Sequence, residues 1–245
     1  MDSTRRTSFI TGVLFIITFV TSIPAAFLLY APVLDDASYV VGAGADGGVA
    51  LGAFLEVLLI VANVGTAVAL FPILKRQSEP LALGYVTARL VESTFIAIGI
   101  VSLLAVVTLR QDAAGGDPSS LVTAGQSLVA VHDWTFLLGP NWVVGVGNGL
   151  ILGFMMYRTG LVPRRFAVLG LVGGSFLVAT GSAAVLDCDG RRTAATLLLS
   201  ENVHPRVVME LLGHSQMRTT MDIYSHVMPA LGRDAADRMG NALWG

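Results

Sequence analysis

The stretch "VALGAFLEVLLIVANVGTAVALFPIL", Val49–Leu74, places a single charge, Glu56, among 26 residues. About 20 predominantly apolar residues suffice for a helix to cross a hydrocarbon core roughly 30 Å thick. Four further runs of similar texture flank it: Phe9–Tyr30, Leu83–Leu109, Trp134–Tyr157 and Phe166–Leu186. Each is long for a soluble core helix, so five buried helices of one large soluble protein is the weaker reading. Composition agrees. Of the 245 residues 54% are hydrophobic and 13% charged, against about 25% charged in a soluble domain. A mean hydropathy of +0.72 would leave a soluble surface too apolar to stay dispersed. The expected fold class is all-α: a transmembrane helical bundle of about five spans with a short soluble α-helical C-terminal tail. The first run follows Arg5 and Arg6 as a signal peptide would. Its apolar stretch exceeds the usual 7–15 or so residues and no clear cleavage site follows, so an uncleaved span is expected.

The connections carry the topology. Arg5, Arg6, Lys75, Arg76, Arg158, Arg164 and Arg165 fall in alternate connections, seven basic residues against the single Arg110 in the others. Those others hold Asp35, Asp36, Asp46, Asp112 and Asp117. The excess of Lys and Arg on the cytoplasmic side of membrane proteins then predicts a plasma-membrane, multi-pass protein with a cytoplasmic N-terminus. Five spans from that start end outside.

Charges inside the runs are the candidate site. Glu56 lies in the second, Arg89 and Glu92 in the third. Arg89 and Glu92 are three apart, share a helix face and can pair; Glu56 can reach the same zone. Each charge at a bilayer centre costs about 2.5–3.5 kcal/mol, so these groups are expected to face the bundle interior. They serve either a proton, ion or small-solute site or an ion pair locking two helices. Gly145, Gly149 and Gly153 repeat every four residues on one face. That spacing allows close helix approach, in a homo-oligomer or, the preferred reading, within the bundle. Pro140 inside the fourth run removes a backbone donor and is expected to bend it. In "HDWTF", His132–Phe136, Trp134 is expected as an interfacial anchor and His132 as an interfacial polar residue. "GAGADG" matches G-x-G-x-x-G through Gly42, Gly44 and Gly47, but the dinucleotide reading needs a strand before it and a soluble βαβ unit around it; a flexible connection is expected. One cysteine, Cys188, excludes an internal disulfide framework and a multi-cysteine metal site. No cofactor and no metal are expected.

"LGAFLEVLLIVANVGTAVALFPILKRQSEPLALGYVTARLVEST", then "HDWTFLLGPNW", then "YRTGLVPRRFAVLGLVG", resemble in order a bacterial family of multi-span membrane proteins known only as a domain of unknown function. The resemblance covers about residues 5–186. It implies a helical membrane bundle and no assigned chemistry. Members usually continue into a further span, from which this chain departs.

The charge balance changes near residue 187: nine Lys and Arg precede it, and six Arg fall in the last 59 residues. Two domains are therefore expected, 1–186 and 187–245. The tail reads as short soluble helices. Arg192–Leu199 forms one, Pro205 opens a second that stops at Gly213, and Thr219 or Thr220 starts a third. Residues 188–231 resemble the C-terminal end of tyrosine recombinases, the phage-integrase family, whose pattern is H-x-L-R-[RH]-T, then L-G-H-S, then T-T-x-x-x-Y. The resemblance implies phosphate-holding roles for Arg191 and His214 and a nucleophile at Tyr224, whose oxygen would attack a DNA phosphate. The pattern is incomplete. Cys188 stands where the family has histidine and Gly190 where it has leucine. An upstream arginine and lysine have no counterpart in the membrane helices. The expectation is a membrane protein of unknown activity fused to a catalytically incomplete recombinase fragment, without enzymatic activity. The alternatives are a membrane-tethered integrase completed by another chain, and a small transporter or sensor using Glu56, Arg89 and Glu92. The lipid bilayer is the expected partner, with DNA only if the tail is cytoplasmic and complemented.

Overall fold

The computed structural model describes residues 3–36, 38–42, 44, 46–113 and 117–200, with side chains from 6 to 186. Among them it is all-helical. Helix α1 (Ser3–Pro24) runs through a π-helical turn, Ala25–Leu29, into the short α2 (Ala31–Asp35). Helices α3 (Asp46–Lys75) and α4 (Glu79–Gln111) follow. Next come α5 (Pro118–Phe136), two π-helical segments (Leu137–Val143 and Gly145–Leu152), α6 (Gly153–Thr159) and α7 (Arg164–Ser200). Five stretches are long and apolar enough to cross a membrane: Arg6–Asp35, Asp46–Lys75, Glu79–Gln111, Pro118–Thr159 and Arg164–Leu186. The five apolar runs all become helix.

Helix α4 is the hub, packing on α3, α5 and both π-helical segments. Half of its most apolar window is buried, against 11% for the first and last spans. The lipid-type surface of the outer spans is plain: Phe27 of the first is 73% exposed and Leu186 of the last 77%. With no driving force from water between spans, packing relies on small residues and polar contacts. Along α3, Gly52, Ala53, Ala62 and Ala67 are buried while Phe54, Val61 and Val68 face outward. The chain divides into two compact units, 1–181 and 182–245.

Three expectations change. The fourth span begins sixteen residues before Trp134. Residues 118–133 carry Ser, Thr, Gln, His and Asp and so form no apolar run, but Asp117 caps them, accepting from the Ser120 amide at 3.1 Å, with Pro118 at the first helical position. Both are helix-start signals. Hydrogen bonds from Ser119 and Ser120 hold the Asp117 carboxyl below the usual carboxylate range. As a result His132, expected at an interface, is buried. Pro140 lies within the π-helical segment Leu137–Val143, where its missing donor interrupts the α pattern. Finally, Arg192–Leu199 is no separate helix but the continuation of α7, which ends at Ser200.

The segment between α2 and α3 forms a cap at one end of the bundle. Tyr39 and Val40 are buried, and Val40 lands on Gly125 of α5, where a Cβ would collide with its methyl. Arg110, at the end of α4, donates to both Asp46 oxygens at 2.8 and 2.6 Å and to the Gly42 carbonyl at 2.8 Å. Its guanidinium also lies 5.7 Å from the Tyr39 ring centroid. Burial, and then the neighbouring Asp46, push the Tyr39 hydroxyl up to about 12. The G-x-G-x-x-G stretch thus lies in this cap, with no strand among the described residues.

Candidate functional site

Two helices carry the polar residues of the bundle interior at helical spacing. On α3, Glu56 and Asn63 are seven residues, or about two turns, apart. On α4, Tyr85, Arg89 and Glu92 follow at intervals of four and three. All five are buried, Arg89 to 2% exposure. The pair expected from the spacing forms: Arg89 Nη1 donates to Glu92 Oε2 at 2.7 Å. Asn63 closes the arrangement from the neighbouring helix. Its Nδ2 donates to Glu92 Oε1 at 2.9 Å, and its Oδ1 accepts from Arg89 Nη2. The guanidinium and carboxylate are therefore each held twice, as buried charges require if they are not to destabilise the fold.

Glu56 lies outside this triad. Its Oε2 accepts from the Tyr30 hydroxyl at 2.8 Å, and among the described residues it makes no ion pair. The Tyr30 ring meets the His132 imidazole edge to face at 5.6 Å. Gly99 of α4 makes room for that imidazole; a Cβ there would lie 3.2 Å from His132 Nδ1.

Glu56, Asn63, Arg89 and Glu92 line one cavity of about 480 Å³. That lies in the range of roughly 300–1,000 Å³ typical of small-molecule sites. Helix α1 supplies the wall opposite α4 with Phe15, Thr18, Phe19 and Ser22. The fourth span supplies Phe136, Pro140, Val144, Asn148 and Leu152, spaced by four throughout. In a regular α-helix such a row would drift about 40° per step and about 160° over its length. The wider π-helical turns on both sides of Val144 counter that drift and keep the row on one cavity.

Sequence reasoning found Glu56, Arg89 and Glu92 and missed Asn63 and Tyr30. Asn63 was detectable as an amide inside an apolar run, seven residues from Glu56. Tyr30 reads as an interfacial ring until the fold brings it to Glu56. The three spaced glycines meet α7: Gly145 faces Gly174 and Val178, Gly149 faces Gly174, and Gly153 faces Leu171. Of Arg191 the backbone alone is described, within α7; His214 and Tyr224 lie outside the described residues. Among the described residues no group of His, Cys, Asp and Glu suited to a metal ion occurs.

The sequence model of a family described as "Domain of unknown function (DUF4386)" matches residues 10–202. The match extends sixteen residues beyond Leu186. Separately, 57 residues are 47% identical to a protein called "Integrase" from Saccharopolyspora erythraea, covering 23% of this chain and 13% of that protein. The chain thus spans a small fraction of that relative's length. No solved structure matches the chain.

Proposed function

Because the chain belongs to the family described as Domain of unknown function DUF4386, whose description names no chemistry, we propose a function from its interior: it binds a small solute within its membrane bundle, as a transporter or a sensor does. The observation that carries this reading is the cavity of about 480 Å³ whose wall contains four buried polar side chains, Glu56, Asn63, Arg89 and Glu92. A purely structural ion pair needs no adjoining space. Here Arg89 and Glu92 are paired with each other and with Asn63, yet they still border a void that Glu56 also faces. The topology that goes with this reading has the N-terminus in the cytoplasm and the plasma membrane as location, supported by the seven-to-one distribution of basic residues among the connections.

The test is access. Ser22→Cys and Asn148→Cys, placed separately in a Cys188→Ser background, put a thiol on two opposite cavity walls. In lipid nanodiscs, both are expected to react with small methanethiosulfonate reagents. If neither thiol reacts with a reagent of any charge, the cavity is sealed and the binding reading fails.

A second reading concerns the tail. The 47% identity to the Integrase, set against coverage of 13% of that protein, supports a fused recombinase remnant with Arg191, His214 and Tyr224 as its relics. Cys188 and Gly190 depart from the family pattern, and the upstream catalytic residues have no counterpart. On this reading the tail does no DNA chemistry unless another chain completes it.

A further inference from the structure

The charges around the cavity do not balance. Arg89 supplies one cation, and Glu92 and Glu56 supply two carboxyls. Glu92 takes the guanidinium at 2.7 Å. The other arm of the guanidinium is on Asn63. Among the described residues its Nε alone has no partner, a single donor where phosphates and carboxylates recognise arginine through paired ones. Glu56 is the group left over. Tyr30 occupies its Oε2, and among the described residues no cation lies within ion-pairing distance of it. An ionised carboxylate buried without a cation is strongly disfavoured. A proton, or a cation from outside the chain, relieves this.

The remaining lining says what kind of partner. Three aromatic rings, Phe15, Phe19 and Phe136, border the same space. Ring faces attract cations, organic ammonium ions among them, when the charge sits within about 6 Å of the centroid. A bare metal ion is commonly held by several carboxylates, and among the described residues no group of three or more His, Cys, Asp and Glu suited to one occurs. Resting on the solute-binding reading above, we infer that the cavity takes a small organic ammonium ion, its charged head against Glu56 and its apolar part among Phe15, Phe19 and Phe136.

The experiment uses the full-length Cys188→Ser, Ser22→Cys protein in nanodiscs and follows the rate of thiol modification by a neutral methanethiosulfonate. Phenethylammonium is expected to slow the reaction saturably, and benzoate to have no effect. Glu56→Gln is expected to raise the half-protecting concentration roughly tenfold or more, the ratio given by about 1.4 kcal/mol of lost attraction. Glu56→Asp, which keeps the charge, is expected to retain protection; if the Gln variant fails to assemble, the Asp variant and the ammonium-over-benzoate preference decide. Equal or better protection by benzoate overturns the ammonium assignment and leaves solute binding intact. So does a reactive thiol that phenethylammonium does not protect, or undiminished protection in Glu56→Gln. A thiol that nothing reaches overturns both inferences.

Discussion

Arg89 shows how a single residue organises the interior. Its side chain is 2% exposed, and its stability depends on two partners on two helices. Removing one partner from a buried pair typically costs about 3–5 kcal/mol, because it strands the other charge, whereas replacing both with apolar groups is often near neutral. Arg89→Ala and Glu92→Ala are each expected to lower thermal stability in detergent strongly. Arg89→Met combined with Glu92→Leu is expected to lower it by less than either single change. An additive double variant would show that the two charges act independently. At this scale the sequence is informative where a charge interrupts an apolar run, as at Glu56, Arg89 and Glu92. It is fainter at Asn63, an amide that stands out only by its place in an apolar run seven residues from Glu56, and mute at Tyr30, a phenol at the end of a span.

Among elements, the fourth span and α7 approach closely through glycine. A Cβ on Gly174 would lie 2.5 Å from Gly149 Cα and 2.7 Å from the Gly145 carbonyl. The obstacle is backbone, which cannot rotate aside. Gly149→Ala and Gly174→Ala are therefore each expected to destabilise the bundle by about 1–3 kcal/mol, in the manner of overpacking, while Gly170→Ala, whose Cβ meets nothing within 4 Å, is expected to be silent. Melting of the three variants in parallel checks this; equal melting would remove the close approach. The four-residue spacing of Gly145, Gly149 and Gly153 announces a contact surface, and Gly170 and Gly174 of α7 repeat it, but spacing alone does not say which helices pair. The π-helical turns were hidden for a different reason. Pro140 signals lost hydrogen bonding, and whether a helix answers by bending or by widening depends on the neighbours that need its side chains.

At the scale of the whole molecule, five apolar runs and the membrane class could be read directly from hydropathy, because spanning length is a property of composition. The onset of the fourth span could not, since residues 118–133 are mixed in polarity and bury only Gly125 and His132. The tail raises a question of location. On the proposed topology, five spans with the N-terminus in the cytoplasm, a reporter fused after Gly245 is expected to report the outer side, and a suicide DNA substrate is expected to form no covalent adduct at Tyr224. A cytoplasmic reporter together with such an adduct would replace the remnant reading with an active recombinase.

The thin cover on α1 has a consequence for traffic. This helix forms one wall of the cavity, yet only 11% of its most apolar window is shielded by the rest of the protein. With the last span it shares the thinnest cover, so on the solute-binding reading it is the wall past which a lipid-dissolved guest would enter. A guest arriving there comes from among the acyl chains, having first dissolved in them, and its apparent affinity follows its oil–water partition as much as its fit.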